Sequence, residues 1–117
     1  MGFDFVSQNV EGPAGRHRIS SPAMEWVREM MLFGGLDSKT LELFKYNDEQ
    51  LIDERAAERV AKSLREFLRK RRDPVLRIVF RFGAWRKNLP RFREAPAPYR
   101  LEAFAHFNEM CAPYKVG

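Results

Sequence analysis

The segment Val75-Leu76-Arg77-Ile78-Val79-Phe80-Arg81-Phe82 can be read two ways, and the choice decides whether the fold gains a strand or a helix. As a strand it alternates, with Leu76, Ile78, Phe80 and Phe82 on one face and Val75, Arg77, Val79 and Arg81 on the other. As a helix opened by Asp73-Pro74 it would be buried all round except for a stripe of Arg77 and Arg81. Its length and β-branched content favour the strand without excluding the helix.

Upstream the pattern is less divided. From Asp53, the residues Ala56, Ala57, Val60, Ala61, Leu64, Phe67 and Leu68 recur at steps of one, three and four, which is the stripe of an amphipathic helix. Asp53 and Glu54 at its start and Arg69-Lys70-Arg71-Arg72 at its end suit the helix dipole. Ser21-Pro22 offers a second helix start, a hydroxyl cap followed by proline. Trp26, Val27, Met30, Met31 and Phe33 continue it to the stop at Gly34-Gly35. Asp37 or Ser38 can cap a short helix through Phe44, Tyr46-Asn47-Asp48 reads as a turn, and Leu101 to Asn108 as a last helix. Phe3 to Val6 and Tyr114 to Val116 read as short strands, Ser7 to Ser20 as a loop, and Asn88 to Pro98, with three prolines, as another loop.

The expected fold is therefore α+β, three to four helices packed on a small two- to three-stranded sheet. Residues 1–117 form a single domain on this reading, since domains commonly run to about 100–150 residues. With 44% apolar residues the chain needs no metal or disulfide to build a core. Its one cysteine, Cys111, suits a reducing compartment. The N-terminus lacks the basic start and apolar run of a secretory signal, and no apolar stretch approaches a membrane span. A cytoplasmic protein with no membrane partner is expected.

Charge is distributed unevenly. Thirteen of the twenty-one basic residues lie between Lys62 and Arg100 against three acids, Glu66, Asp73 and Glu94, a net +10. The rest of the chain has eight bases and thirteen acids, a net −5. Such a field draws polyanions and acidic protein surfaces. Arginine outnumbers lysine ten to three in this segment, and its planar fork binds carboxylate or phosphate bidentately. Phe80, Phe82, Trp85, Phe92 and Tyr99 are interleaved among the charges.

Other chemistry has little support. His17, His106 and Cys111 match no structural metal spacing, and Cys111 has no base assigned to it by sequence. Neither a phosphate loop nor a dinucleotide fingerprint occurs, and the acid pairs Asp48-Glu49 and Asp53-Glu54 read as caps. No catalytic residue, metal or cofactor is assigned.

The opening Met-Gly-Phe-Asp strand, the Tyr46-Asn47-Asp48 turn ahead of the alanine-rich helix Asp53–Leu68, and the phenylalanine-bearing segment Leu101–Val116 resemble a group of small phage and bacterial proteins. Members of that group often carry a cysteine-rich insertion before the final helix, where this chain has arginine-rich sequence and one cysteine. The resemblance implies a phage-linked origin and no particular activity.

The functional expectation is a small non-enzymatic accessory or regulatory protein that binds an acidic surface of a protein partner. The residues assigned to that surface are Arg65, Arg69, Lys70, Arg71, Arg72, Arg77, Arg81, Trp85, Arg86, Lys87, Arg91 and Arg93. The alternative is nucleic acid, as single strand or RNA, gripped by the same arginines with bases stacked on the aromatics. A homo-oligomer, the acidic half of one copy docking on the basic half of another, is a variant of the first reading.

Overall fold

The computed structural model of the protein describes residues 2–46 and 48–117. Four short strands, β1 (Gly2–Ser7), β2 (Arg16–Ser20), β3 (Gln50–Ile52) and β4 (Tyr114–Val116), form an antiparallel sheet in the order β2-β1-β4-β3. Register pairs Phe3 with Ile19, and Phe5 with His17 on one side and Val116 on the other. Because strand side chains alternate, Phe3, Phe5, Ile19, Ile52, Tyr114 and Val116 are buried on one face. Asp4, Arg18 and Lys115 are exposed on the opposite face.

Five helices accompany the sheet among the described residues: α1 (Ser21–Phe33), α2 (Ser38–Leu41), α3 (Glu54–Lys70), α4 (Pro74–Arg86) and α5 (Pro98–Cys111). The fold is α+β, as expected, with more of both elements than the sequence suggested. Strand β2 lies inside the segment read as a loop, and β3 precedes α3 without a sequence signal. Both depend on their partners, since Arg16–Ser20 and Gln50–Ile52 each bury a single aliphatic residue. The turn expected at Tyr46–Asp48 contains Asn47, which lies outside the described residues.

Caps explain most helix starts. Asp37, Asp53 and Asp73 each accept a backbone N–H from their own helix, at 2.9, 2.8 and 2.9 Å. Helix α1 is capped by Ser20, one residue before the expected position, through Ala23 N–H at 3.4 Å. It ends in a Schellman turn: Gly35 has φ +100, Leu36 N–H reaches Met31 O at 2.9 Å, and Gly35 N–H reaches Leu32 O at 3.0 Å.

Helix α3 organises the interior. Ala56, Ala57, Val60, Ala61, Leu64 and Phe67 are buried along it, while Leu68, expected in the same stripe, is half-buried. Its main neighbours are α5 and α1. At Gly34 the two backbones meet so closely that a Cβ would lie 1.9 Å from Ser63 O. One polar chain crosses the core: Tyr114 O–H donates to Asn108 Oδ1 at 2.5 Å, and Asn108 Nδ2 donates to Phe104 O at 2.8 Å. Burial raises the Tyr114 phenol well above its usual pKa, with the Asn108 hydrogen bond opposing.

Helix α4 corrects the favoured reading of Val75–Phe82 as a strand. The Asp73 carboxylate caps Val75 N–H, and Pro74 fits the first turn, so the segment opens as a helix. Phe80 and Ala84 then meet the body of the protein, and Leu76 shares their face, half-buried. Local capping and this four-residue repeat prevail over β propensity. Among the described residues, no helix is long and apolar enough to cross a membrane.

Urea denaturation should find Leu64→Ala less stable by about 2–5 kcal/mol. Gly34→Ala should cost about 1–3 kcal/mol through the Ser63 clash. Gly83→Ala, in the open on α4, should stabilise by up to about 1 kcal/mol.

Candidate functional site: the outer face of α4

Helix α4 rides on the protein through a narrow contact. The Phe80 ring sits 4.9 Å from that of Phe67, 5.3 Å from Phe33 and 6.2 Å from Trp26. Lys87 Nζ pairs with Glu29 at 2.9 Å, fastening the C-terminal end of α4 to α1. Trp26 Nε1 donates to Pro90 O at 3.0 Å and holds the following loop. At the other end Arg77 Nε donates to Arg71 O at 3.0 Å.

The helix has a second apolar face. Val75, Ile78, Val79, Phe82 and Trp85 are 67%, 67%, 52%, 58% and 75% exposed. Their spacing of three, four, seven and ten residues from Val75 places them on one stripe, opposite Leu76, Phe80 and Ala84. This differs from the expectation that a helix here would be buried all round. A contiguous exposed apolar stripe is less usual on a small protein than scattered single apolar residues, which makes this face the candidate site. Phe92 and Tyr99, also exposed, lie in the segment that follows.

The structure divides the basic residues assigned from sequence. Arg65 makes a two-pronged pair with Glu109, at 3.1 and 2.5 Å, and its hydrogen bond holds the Glu109 carboxyl below the usual range. Arg69 grips Glu66 on its own helix and lowers that carboxyl in the same way. Lys70 donates to Phe33 O at 2.9 Å, Lys87 is held by Glu29, and Arg93 lies 3.8 Å from Glu94. These five neutralise or brace the protein itself. Arg71, Arg72, Arg77, Arg81, Arg86 and Arg91 have no carboxylate partner among the described residues. Arg77 and Arg81 flank the apolar stripe one turn apart, and Arg81 lies 4.4 Å over the Phe92 ring. The site thus narrows to six arginines and Trp85. It gains Val75, Ile78, Val79 and Phe82, which sequence reasoning missed; reading residues 74–86 with helical spacing is the signal that finds them.

Two depressions adjoin this surface and share Pro96 and Leu101. One, about 110 Å³, opens between α4 and the body, with Trp26, Phe33, Phe67 and Phe80 within and Arg71, Arg77 and Arg81 among its lining residues. The other, about 390 Å³, includes His17, Arg18, Tyr99 and Arg100. His17 stacks on Phe104 at 5.2 Å, and burial, aided by Arg100, lowers its pKa. Burial raises the Cys111 thiol pKa, and the group donates to Ala14 O at 3.4 Å. Compared with known protein families, curated proteins and solved structures, the chain matches none.

His17 carries a pH prediction. Its folded pKa lies below the ordinary 6.5, so the unfolded chain takes up the proton first as pH falls. Stability is then fully present above pH 6.5 and declines as pH drops through the folded pKa. An NMR titration should place the His17 midpoint below 6.5. Arg100→Gln should move it upward without restoring the ordinary value, because burial is the larger cause.

Proposed function

We propose that this protein is a small non-enzymatic binding module, of phage-linked origin, that takes an acidic and apolar segment of a protein partner on the outer face of α4. The observation that carries this reading is the stripe Val75, Ile78, Val79, Phe82 and Trp85 beside arginines that have no carboxylate partner. Burying a side chain of this kind contributes about 1.5–3 kcal/mol before association costs, so a few anchors suffice for a specific complex. The aliphatic members favour protein over nucleic acid: Val75, Ile78 and Val79 offer no ring for a base to stack on, but they pack well against apolar side chains. Symmetric pairing of two α4 faces would crowd Arg77, Arg81 and Arg86 of one copy against the same basic group of the other, which disfavours a dimer built on this surface. The non-enzymatic reading is supported by the raised pKa of the buried Cys111 thiol, which keeps it a poor nucleophile. A reducing, cytoplasmic setting suits that free thiol.

The second reading, nucleic acid, draws on the six unpaired arginines and the exposed rings of Trp85, Phe92 and Tyr99. The two separate by salt and by substitution. A protein partner should co-purify stoichiometrically from the native host at moderate salt and be lost from Phe82→Ser/Trp85→Ser, with the protein remaining a folded monomer. If nucleic acid is the ligand, log affinity falls linearly with log salt, by about −0.7 per phosphate contact on single strands and about −0.9 on duplex. Arg77→Gln/Arg81→Gln would then flatten the slope by about two contacts' worth. Adsorption to anionic phospholipid vesicles, abolished by Phe82→Ser/Trp85→Ser, would instead reassign the face to a lipid surface. Retention of the partner by the double serine variant would refute the proposal.

A further inference from the structure

The cleft beneath α4 offers more than the exposed stripe above it. Helix α4 reaches the body chiefly through Phe80, so a gap of about 110 Å³ persists between them. Its interior is apolar, formed by Trp26, Phe33, Phe67, Phe80 and Leu101. Its charged lining consists of Arg71, Arg77 and Arg81, and no carboxylate lines it among the described residues. An apolar cavity of about 150 Å³ accommodates benzene, so this one has room for a branched aliphatic side chain and little more.

We propose that the cleft is an anchor pocket for one leucine-sized side chain of the acidic partner segment, with a neighbouring carboxylate held by Arg77 and Arg81. The inference rests on the protein-partner reading above and specifies what the partner must carry. Arg77 directs Nε to Arg71 O, which leaves its terminal N–H groups available. The Arg81 guanidinium carbon lies 4.4 Å from the Phe92 ring centroid, and Arg81 has no carboxylate partner among the described residues. Two guanidinium groups one helical turn apart suit carboxylates flanking an inserted side chain. A phosphate backbone would satisfy the arginines but has nothing to fill the apolar interior.

Trp26 lines the cleft and serves as its reporter once Trp85, the only other tryptophan, is replaced by phenylalanine. The probe is the acetylated, amidated peptide Asp-Glu-Leu-Asp-Glu, titrated to millimolar concentration against Trp85→Phe protein. A saturable change in Trp26 emission is expected. Serine in place of leucine should abolish saturation, and Asn and Gln in place of the acids should weaken binding by about tenfold. Ala95→Leu, which enlarges a side chain lining the cleft, should eliminate the response, and Arg77→Gln/Arg81→Gln should weaken it by about tenfold. Absence of saturation by the leucine peptide, or equal response to the serine peptide or to oligothymidylate, overturns the anchor pocket. If anisotropy of the labelled peptide shows binding that ignores Ala95→Leu but is lost in Ile78→Ser/Phe82→Ser, the pocket is wrong and the outer-face reading stands.

Discussion

The close approach of α1 and α5 to the small-residue stripe of α3 is the constraint on which the remaining structure depends. Ala56, Ala57 and Ala61 leave room for neighbouring helices, while Val60, Leu64 and Phe67 fill the space between them. At Gly34 the contact is backbone to backbone, against Ser63 O. Once these helices cover the inner face of the sheet, Phe3, Phe5, Tyr114 and Val116 have their partners and the core is closed. The Tyr114–Asn108–Phe104 hydrogen bonds complete it by pairing the polar atoms buried there.

That closure explains α4. The surface left for it is the Trp26, Phe33 and Phe67 cluster, which one ring, Phe80, is able to engage. Ala84 assists on the same side, and Leu76 lines the cleft. The helix has more apolar side chains than the body can cover, so five of them point outward. Exposure of this kind lowers solubility unless something covers the face. The loose seating also leaves the cleft between α4 and the body.

Charge follows a similar division. A basic segment looks uniform along the chain, but Arg65, Arg69, Lys87 and Arg93 have carboxylate neighbours, and Lys70 caps the carbonyl of Phe33. The acids that meet Arg65 and Lys87 are Glu109 and Glu29, far away in sequence. What remains unpaired gathers at the end of α3 and along α4. Exposed pairs of this sort contribute little to stability, and of the arginines without a carboxylate partner Arg77 holds Arg71 O and Arg81 covers the Phe92 ring.

The sequence by itself determined the α+β class, the α3 stripe, the cap at Asp53, the stop at Gly34-Gly35 and the two strands at the ends of the chain, and it left the cap of α2 between Asp37 and Ser38. Each is a local signal, a periodicity or a cap, that acts within a few residues. Strands β2 and β3 were not legible, because Arg16–Ser20 and Gln50–Ile52 are short and polar and become strands only by pairing with β1 and β4. Val75–Phe82 satisfied both periodicities, and the inward packing of Phe80 on residues from α1 and α3 distinguishes them. The basic character of the site was likewise visible in the chain. Which arginines lack a carboxylate partner, and that Ile78 and Phe82 face outward while Leu76 and Phe80 face inward, was decided by tertiary structure alone, since ion pairs and burial depend on residues that only folding brings together.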